Sequence, residues 1–141
     1  MDLSLKIAIF AMVAQVFLTL YIFMRMGKAR TSALIKGDLH IRDIALSNDA
    51  WTDDIKKLGN NLQNQFETPI LFYTAVMLAV ALSFTSWVIA IASVIYVCLR
   101  VVHHRIHIGK NHVPSRFKVF VLSLVTLVVM WVAIVVEVIM L

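Results

Sequence analysis

The chain has 141 residues, of which 61% are hydrophobic and 15% are charged, and its formal net charge is +5. A water-soluble domain has about half apolar residues and about a quarter charged ones, so this composition excludes an ordinary soluble domain. The mean hydropathy of +0.88 instead indicates an integral membrane protein.

Long apolar segments follow one another along the chain. Residues 5–24 and 119–141 contain one charged residue each, and residues 70–99 contain none. A helix needs about 20 apolar residues to cross about 30 Å of hydrocarbon, so the polar residues 83–86 divide the middle segment between two helices. We therefore predict an all-α integral membrane protein, a single domain over residues 1–141 with four transmembrane helices near residues 4–26, 58–82, 86–107 and 115–140.

Basic residues set the predicted orientation. They concentrate in the loop near 27–57 and around the connection between the third and fourth helices, whereas residues 83–86 contain none. Cytoplasmic loops of membrane proteins carry the excess of Lys and Arg, so we expect both basic loops in the cytoplasm and both chain ends on the opposite side. The positive charge then reflects topology, and no basic patch with interleaved aromatic residues suggests a nucleic-acid partner.

An acidic residue and several amides stand at the entrance of the second helix. On a helix Asn60, Asn64 and Glu67 lie at i, i+4 and i+7, so their side chains form one stripe, and Pro69 follows closely. Such groups are costly in a membrane helix unless something binds them. We expect this stripe to bind a ligand; the alternative is that it supplies interhelical hydrogen bonds within an oligomer.

A second polar group ends the third helix and begins the fourth. Arg100, His103 and His107 share one helical face, and Pro114 suits the first turn of the fourth helix, which places Arg116 in that turn. If the second and third helices form a hairpin, this group and the amide stripe lie at the same depth on the cytoplasmic side. Such a cluster suits a small zwitterionic or anionic ligand.

The histidines have other uses to weigh. His103 and His107 stand at i and i+4, a spacing that can bind a metal. No HExxH motif is present, however, and the nearby acid has a better role, so we predict no metal site. His104 and His112 are expected to be solvated.

These motifs resemble those of the MAPEG family (membrane-associated proteins in eicosanoid and glutathione metabolism). The resemblance lies in Asn64-x-x-Glu67 with Pro69 close behind, in Arg100-x-x-His103, and in the arginine at the start of the last helix. The string 62–73 looks most like the bacterial branch of that family, and the hydropathy and length agree over nearly the whole chain.

The resemblance implies a homotrimer that binds glutathione, as co-substrate, between neighbouring subunits on the cytoplasmic side. It implies that Asn64 and Glu67 hold the glutathione backbone, with Glu67 taking the amino group. Arg100 would bind a glutathione carboxylate, and His103 would line the same pocket. Arg116 would lie beside the sulfur as the catalytic residue, because a nearby guanidinium favours the thiolate.

Two candidate ligand contacts depart from the pattern of many animal members. Asn60 stands where those members have an arginine, and His107 stands where they often have a tyrosine. We keep both as candidates for binding glutathione.

The implied activity is a membrane-bound, glutathione-dependent transferase or peroxidase. Its substrate would be a lipophilic electrophile that arrives through the lipid of a bacterial inner membrane. The alternative is a non-catalytic lipid-binding or scaffold protein of the same fold, because fold does not decide function. A small transporter or channel is disfavoured, since no charged residue lies mid-span.

The predicted orientation can be tested in intact cells. Ser47 is expected to be cytoplasmic, so Ser47→Cys in a Cys98→Ser background should resist an impermeant thiol reagent and react after permeabilisation. Labelling before permeabilisation would overturn the orientation.

Overall fold

The computed structural model describes residues 1–37, 39–45 and 47–140, and these form helices with short connections. Three of the helices are long and apolar enough to cross a membrane, which agrees with the predicted all-α membrane class. The elements in chain order are α1 (Leu3–Ile35), a 3-10 turn (Ile41–Ile44), α2 (Asp53–Gln63), α3 (Thr68–Ala81), α4 (Trp87–Ile108) and α5 (Val113–Met140).

The segment predicted as one helix near 58–82 is two helices in the structure. α2 ends at Gln63 and α3 begins at Thr68. Pro69 gives the physical reason: inside a helix its ring would clash with the carbonyl of Gln65, whereas proline is tolerated in a first turn. α3 has 14 residues, about 21 Å of helix, so it is shorter than the hydrocarbon layer and the predicted count of four transmembrane helices is not confirmed.

The division also corrects the predicted amide stripe. Asn64 caps the end of α2 and Glu67 precedes the first residue of α3, so the stripe is not one continuous helical face. The backbone N–H groups of Gln65 and Phe66 bond to carbonyls three residues earlier, at 2.9 Å each. We call this turn, residues 64–67, the helix break.

α1 extends to Ile35, further than the predicted end near residue 26. Basic residues mark a membrane boundary without ending a helix, and Gly37, with φ of 76°, lies just past the end in the backbone region that favours glycine. The 33 residues of α1 span about 50 Å. Its second end therefore projects beyond the hydrocarbon.

α4 is the central helix, because it contacts each of the other four helices, and α1 and α5 most extensively. It begins at Trp87, just after the polar break predicted at 83–86. In the core the ring of Tyr96 stacks on that of Phe72 with centroids 4.5 Å apart. The buried residues of α4 lie on one face, and near its second end that face is polar: it carries Arg100, His103, His104 and His107.

The segment that leads into α2, residues 48–55, packs on the projecting end of α1. Trp51 is buried against Ala33 and Ile55, and the Arg30 guanidinium lies 5.1 Å from the centre of the Trp51 ring. The Nη2 of Arg30 also donates to the side-chain oxygen of Asn48 at 3.1 Å. These contacts anchor the loop and orient the start of α2.

Removing the anchor should open the loop. Trp51→Ala removes a side chain whose loss from a core costs about 3–5 kcal/mol, so the opened population should rise more than tenfold. Limited trypsin digestion of purified protein should then cleave faster after Arg42. Thr52→Ala is the control, since that side chain makes no capping hydrogen bond. Equal cleavage of both variants and wild type would contradict the anchoring role.

Candidate functional site

Arg100 joins α4 to the helix break. Its side chain is 0% exposed, and its Nη2 donates to the backbone oxygen of Asn64 at 2.8 Å. The last carbonyls of a helix have no helical partner and carry partial negative charge, so a cation there is stabilising. Arg100 therefore caps the end of α2 and fixes the depth at which Asn64 meets α4.

Several polar atoms near this contact remain unpaired. Among the described residues, the Nε and Nη1 of Arg100 and both ring nitrogens of His103 have no hydrogen-bond partner. His103 is 3% exposed. A buried charge is costly unless it is paired and hydrogen-bonded, so this part of α4 is suited to an acceptor that binds here.

A pocket of ≈ 190 Å³ lies beside His103 and Asn64. It combines an amide, an imidazole and a guanidinium with two phenylalanine rings. The Phe120 ring centre is 6.0 Å from that of His103. The pocket is lined by Asn64, His103, Val113, Arg116, Phe117 and Phe120.

Arg116 is held in position from two sides. Its Nη1 donates to the side-chain oxygen of Asn111 at 2.7 Å and lies 3.3 Å from the Nε2 of His107. Since arginine only donates, this contact requires an unprotonated Nε2, which assigns the neutral His107 proton to Nδ1. Asn111 has φ of 49°, a left-handed conformation that asparagine tolerates better than most residues. Both contacts use the same nitrogen, so the guanidinium can be oriented by the protein and still face a ligand.

The structure brings together five of the seven predicted site residues. Asn64, His103 and Arg116 line the pocket, Arg100 bonds to the carbonyl of Asn64, and His107 contacts Arg116. Their convergence agrees with the expected meeting of the two polar groups at one depth.

Glu67 and Asn60 lie outside this group. Both are exposed, and neither lines the pocket. The side-chain nitrogen of Asn64 donates to the backbone oxygen of Asn60 at 2.8 Å, so Asn60 contributes its main chain rather than its amide. For Glu67 the cause is the helix break, which separates it from the part of α2 that carries Asn60 and Asn64.

Asn111, Phe117 and Phe120 were not singled out from the sequence. Phe117 and Phe120 follow Arg116 in α5, so the predicted position of Arg116 gave a signal for them. No sequence signal pointed to Asn111, because its contact with Arg116 depends on a left-handed backbone conformation. Phe117 also lines an adjoining groove of ≈ 360 Å³ on the outer side of α5.

The expectation that His104 is solvated was wrong. It is 4% exposed, and its Nδ1 lies 2.6 Å from the side-chain nitrogen of Asn61. Consecutive residues are about 100° apart around a helix, so His103 and His104 both fit within the broad buried face of α4. His112 is exposed as expected. No three potential metal ligands gather among the residues that the structure describes, and the absence of a metal site stays a prediction.

Comparison with known proteins supplies the family. Residues 8–136 match the family model described as MAPEG family. The chain belongs to the MAPEG family. This match confirms the resemblance seen in the motifs, and it covers at least part of each helix from α1 to α5. No curated protein and no solved structure gave a significant match to the chain.

Proposed function

We propose that this MAPEG protein is a membrane-bound transferase or peroxidase that uses glutathione against lipophilic electrophiles. The observation that carries the proposal is the guanidinium of Arg116 in the wall of a small pocket, with the buried guanidinium of Arg100 bonded to the carbonyl of Asn64, another lining residue. One cation in the pocket wall and a second bonded to a lining residue favour an anionic ligand, and glutathione carries two carboxylates and one amine.

The described contacts support a division of roles around glutathione. Arg100 binds a carboxylate through the Nε and Nη1 that lack partners, since guanidinium nitrogens pair well with carboxylates. His103 and Asn64 contact the peptide part of glutathione from the pocket wall. Glu67 pairs with the amino group from its exposed position at the start of α3.

Arg116 supplies the chemistry in this proposal. A free thiol has a pKa of about 8.5, so near pH 7 it is mostly protonated, and a guanidinium beside the sulfur lowers that pKa. The thiol proton leaves to solvent, and the thiolate forms a carbon–sulfur bond to the electrophile as that carbon gives up its leaving anion or, in an addition, its π bond. With a peroxide the thiolate instead attacks one oxygen and breaks the O–O bond; the other oxygen takes a proton and leaves as an alcohol. The glutathione sulfenic acid formed then condenses with a second glutathione to give the disulfide and water. Asn111 and His107 keep the guanidinium oriented toward the pocket.

The second substrate enters from lipid. The pocket wall formed by Phe117 and Phe120 is apolar, and Phe117 continues into the groove on the outer side of α5. A lipophilic molecule dissolved in the membrane therefore reaches the thiolate without crossing water.

The proposed assembly is a homotrimer in a bacterial inner membrane, with the pocket on the cytoplasmic side. The exposed position of Glu67 supports a site between subunits, because a neighbouring subunit can enclose a ligand that Glu67 reaches. The basic residues of the 27–57 loop support the orientation.

A non-catalytic lipid-binding or scaffold protein is the second candidate. One observation favours it: an apolar groove of ≈ 540 Å³ runs along α3 and α5. Its wall contains no ionisable group, so the groove is better suited to binding a lipid chain than to catalysing a reaction. The lining residues are Leu71, Leu124, Leu127, Val128, Trp131, Val132, Val135 and Val136.

Glu67 tests the binding half of the proposal. Glu67→Gln keeps the size of the side chain and removes the charge that pairs with the amino group. Glutathione affinity, measured by calorimetry, should fall by about 1.5–3 kcal/mol, the range for a hydrogen bond to a charged group. Glu137→Gln, near the other end of α5, is the control and should bind as wild type does. Dissociation of the Glu67 variant into monomers with unchanged affinity would instead support the oligomer-contact alternative.

Arg116 tests the chemical half. Arg116→Ala should abolish the ultraviolet thiolate band of bound glutathione at neutral pH and restore it only at alkaline pH, with conjugation falling in parallel. Arg116→Lys should recover part of the band, because a point charge replaces the guanidinium but not its forked geometry. Lys110→Ala, which removes an exposed charge nearby, should change neither. A thiolate band that survives in Arg116→Ala would move the non-catalytic candidate ahead.

A further inference from the structure

A second buried polar group lies next to the pocket residues, around His104 on the same buried face of α4. We define the polar seam as Gln15 of α1, Asn61 of α2, Gln65 of the helix break and His104 of α4. We infer that the polar seam is a positioning device that fixes the helix break, and with it Asn64, for ligand binding. This inference rests on the proposed function for its ligand.

The four residues form a continuous chain of contacts between three helices and the helix break, and one of these contacts uses the backbone oxygen of Asn61. Gln15 donates through Nε2 to the Oε1 of Gln65 at 3.0 Å, and Gln65 donates through its own Nε2 to the backbone oxygen of Asn61 at 3.3 Å. The side-chain nitrogen of Asn61 lies 2.6 Å from the Nδ1 of His104. Gln15 and Asn61 are 0% exposed, and Gln65 is 1% exposed.

Gln65 replaces a backbone hydrogen bond that the break removes. In a continuous helix the N–H of Gln65 would bond to the carbonyl of Asn61, but here it bonds to the carbonyl of Leu62. The side chain of Gln65 reaches the abandoned Asn61 carbonyl instead. The polar seam thus favours the broken conformation, because in an unbroken helix the Asn61 carbonyl would already accept a hydrogen bond from the backbone N–H of Gln65.

The helix break is held from two directions. Arg100 binds the carbonyl of Asn64 from α4, while Gln15 binds the neighbouring Gln65 from α1. Two contacts on adjacent residues leave the turn little freedom to move, so the side chain of Asn64 meets the pocket in one arrangement.

The seam is not fully satisfied, which argues for a role in positioning rather than in stability. Within the described residues, the Oε1 of Gln15 and the Oδ1 of Asn61 have no partner. An apolar group of similar size at these positions would avoid the cost of burying them. Hydrogen-bonded networks in an interior do, however, select one arrangement over others.

The consequence differs between the two halves of the site. Asn64 is attached to the helix break, whereas Arg116 lies on α5 and is held by Asn111 and His107. Disturbing the seam should therefore weaken ligand binding and leave the chemistry of bound ligand unchanged.

Gln65→Met is the test variant, since methionine keeps the unbranched shape of glutamine and removes its hydrogen bonds. Glutathione affinity should fall about five- to tenfold, the loss expected for one or so hydrogen bonds. The pH midpoint of the thiolate band at saturating glutathione should stay that of wild type. Gln63→Met, the same change at an exposed position two residues earlier, is the matched control and should bind normally.

The double variant Gln15→Met/Gln65→Met separates positioning from stability. Removing both partners relieves the unpaired amide, so the thermal midpoint should return toward wild type. The affinity should remain low if the seam positions the break. Recovery of affinity together with stability would overturn the inference.

Hydrogen exchange at residues 63–67, followed by mass spectrometry, tests the seam without any ligand. Gln65→Met should exchange faster there, and peptides from α5 should not change. If wild type binds no glutathione, the proposed function fails, and exchange alone then decides whether the seam holds the break. Unchanged exchange in Gln65→Met would overturn the inference in either case.

Discussion

The hydrogen bond from Arg100 to the carbonyl of Asn64 is the contact on which the rest of the site depends. It exists because Pro69 prevents a continuous helix and leaves the end of α2 with carbonyls that need donors. The buried guanidinium of Arg100, on the central helix, supplies one of these donors. The same contact brings α2, α3 and α4 to a common depth beside the first turn of α5, where the pocket forms.

The charge of the site follows from this arrangement. Among the residues that the structure describes, the salt bridge found joins Lys57 to Asp54 within α2, so Arg100 and Arg116 are not neutralised by ion pairs with acids of the same chain. An exposed pair of that kind contributes little to stability. Buried positive charge with unpaired donors costs free energy in the absence of a ligand, and an anion that binds there recovers that cost. The proposed glutathione site thus lowers the stability of the ligand-free protein, and binding of the ligand restores it.

Hydropathy and helical spacing predicted much of the fold and of the candidate site. The long apolar segments located α1, α4 and α5, and the spacing of Arg100, His103 and His107 placed them on one face of α4. Their meeting with Asn64 followed from treating two helices as a hairpin. These features depend on periodicity and length, which a sequence displays directly.

The remainder depends on tertiary geometry. Pro69 stands in the sequence, but the sequence did not show that the helix would break before it rather than bend. The predicted stripe of Asn60, Asn64 and Glu67 therefore assumed a helix that continues past Asn64, but α2 ends at Gln63 and Asn64 caps it. Predicting the burial of His104 requires knowing that α4 is the central helix, and hydropathy does not show which helix is central. The contact of Gln15 with Gln65 joins residues 50 apart in the chain. No local pattern encodes it.

The most direct test of the central claim is to titrate the purified protein with glutathione and with two analogues in which one carboxylate or the other is replaced by a neutral amide. If the free nitrogens of Arg100 bind a carboxylate, glutathione should bind, and one of the analogues should bind more than about tenfold more weakly, as for loss of a charge-assisted hydrogen bond. Equal affinity for all three ligands, or no binding of any of them, would contradict the account.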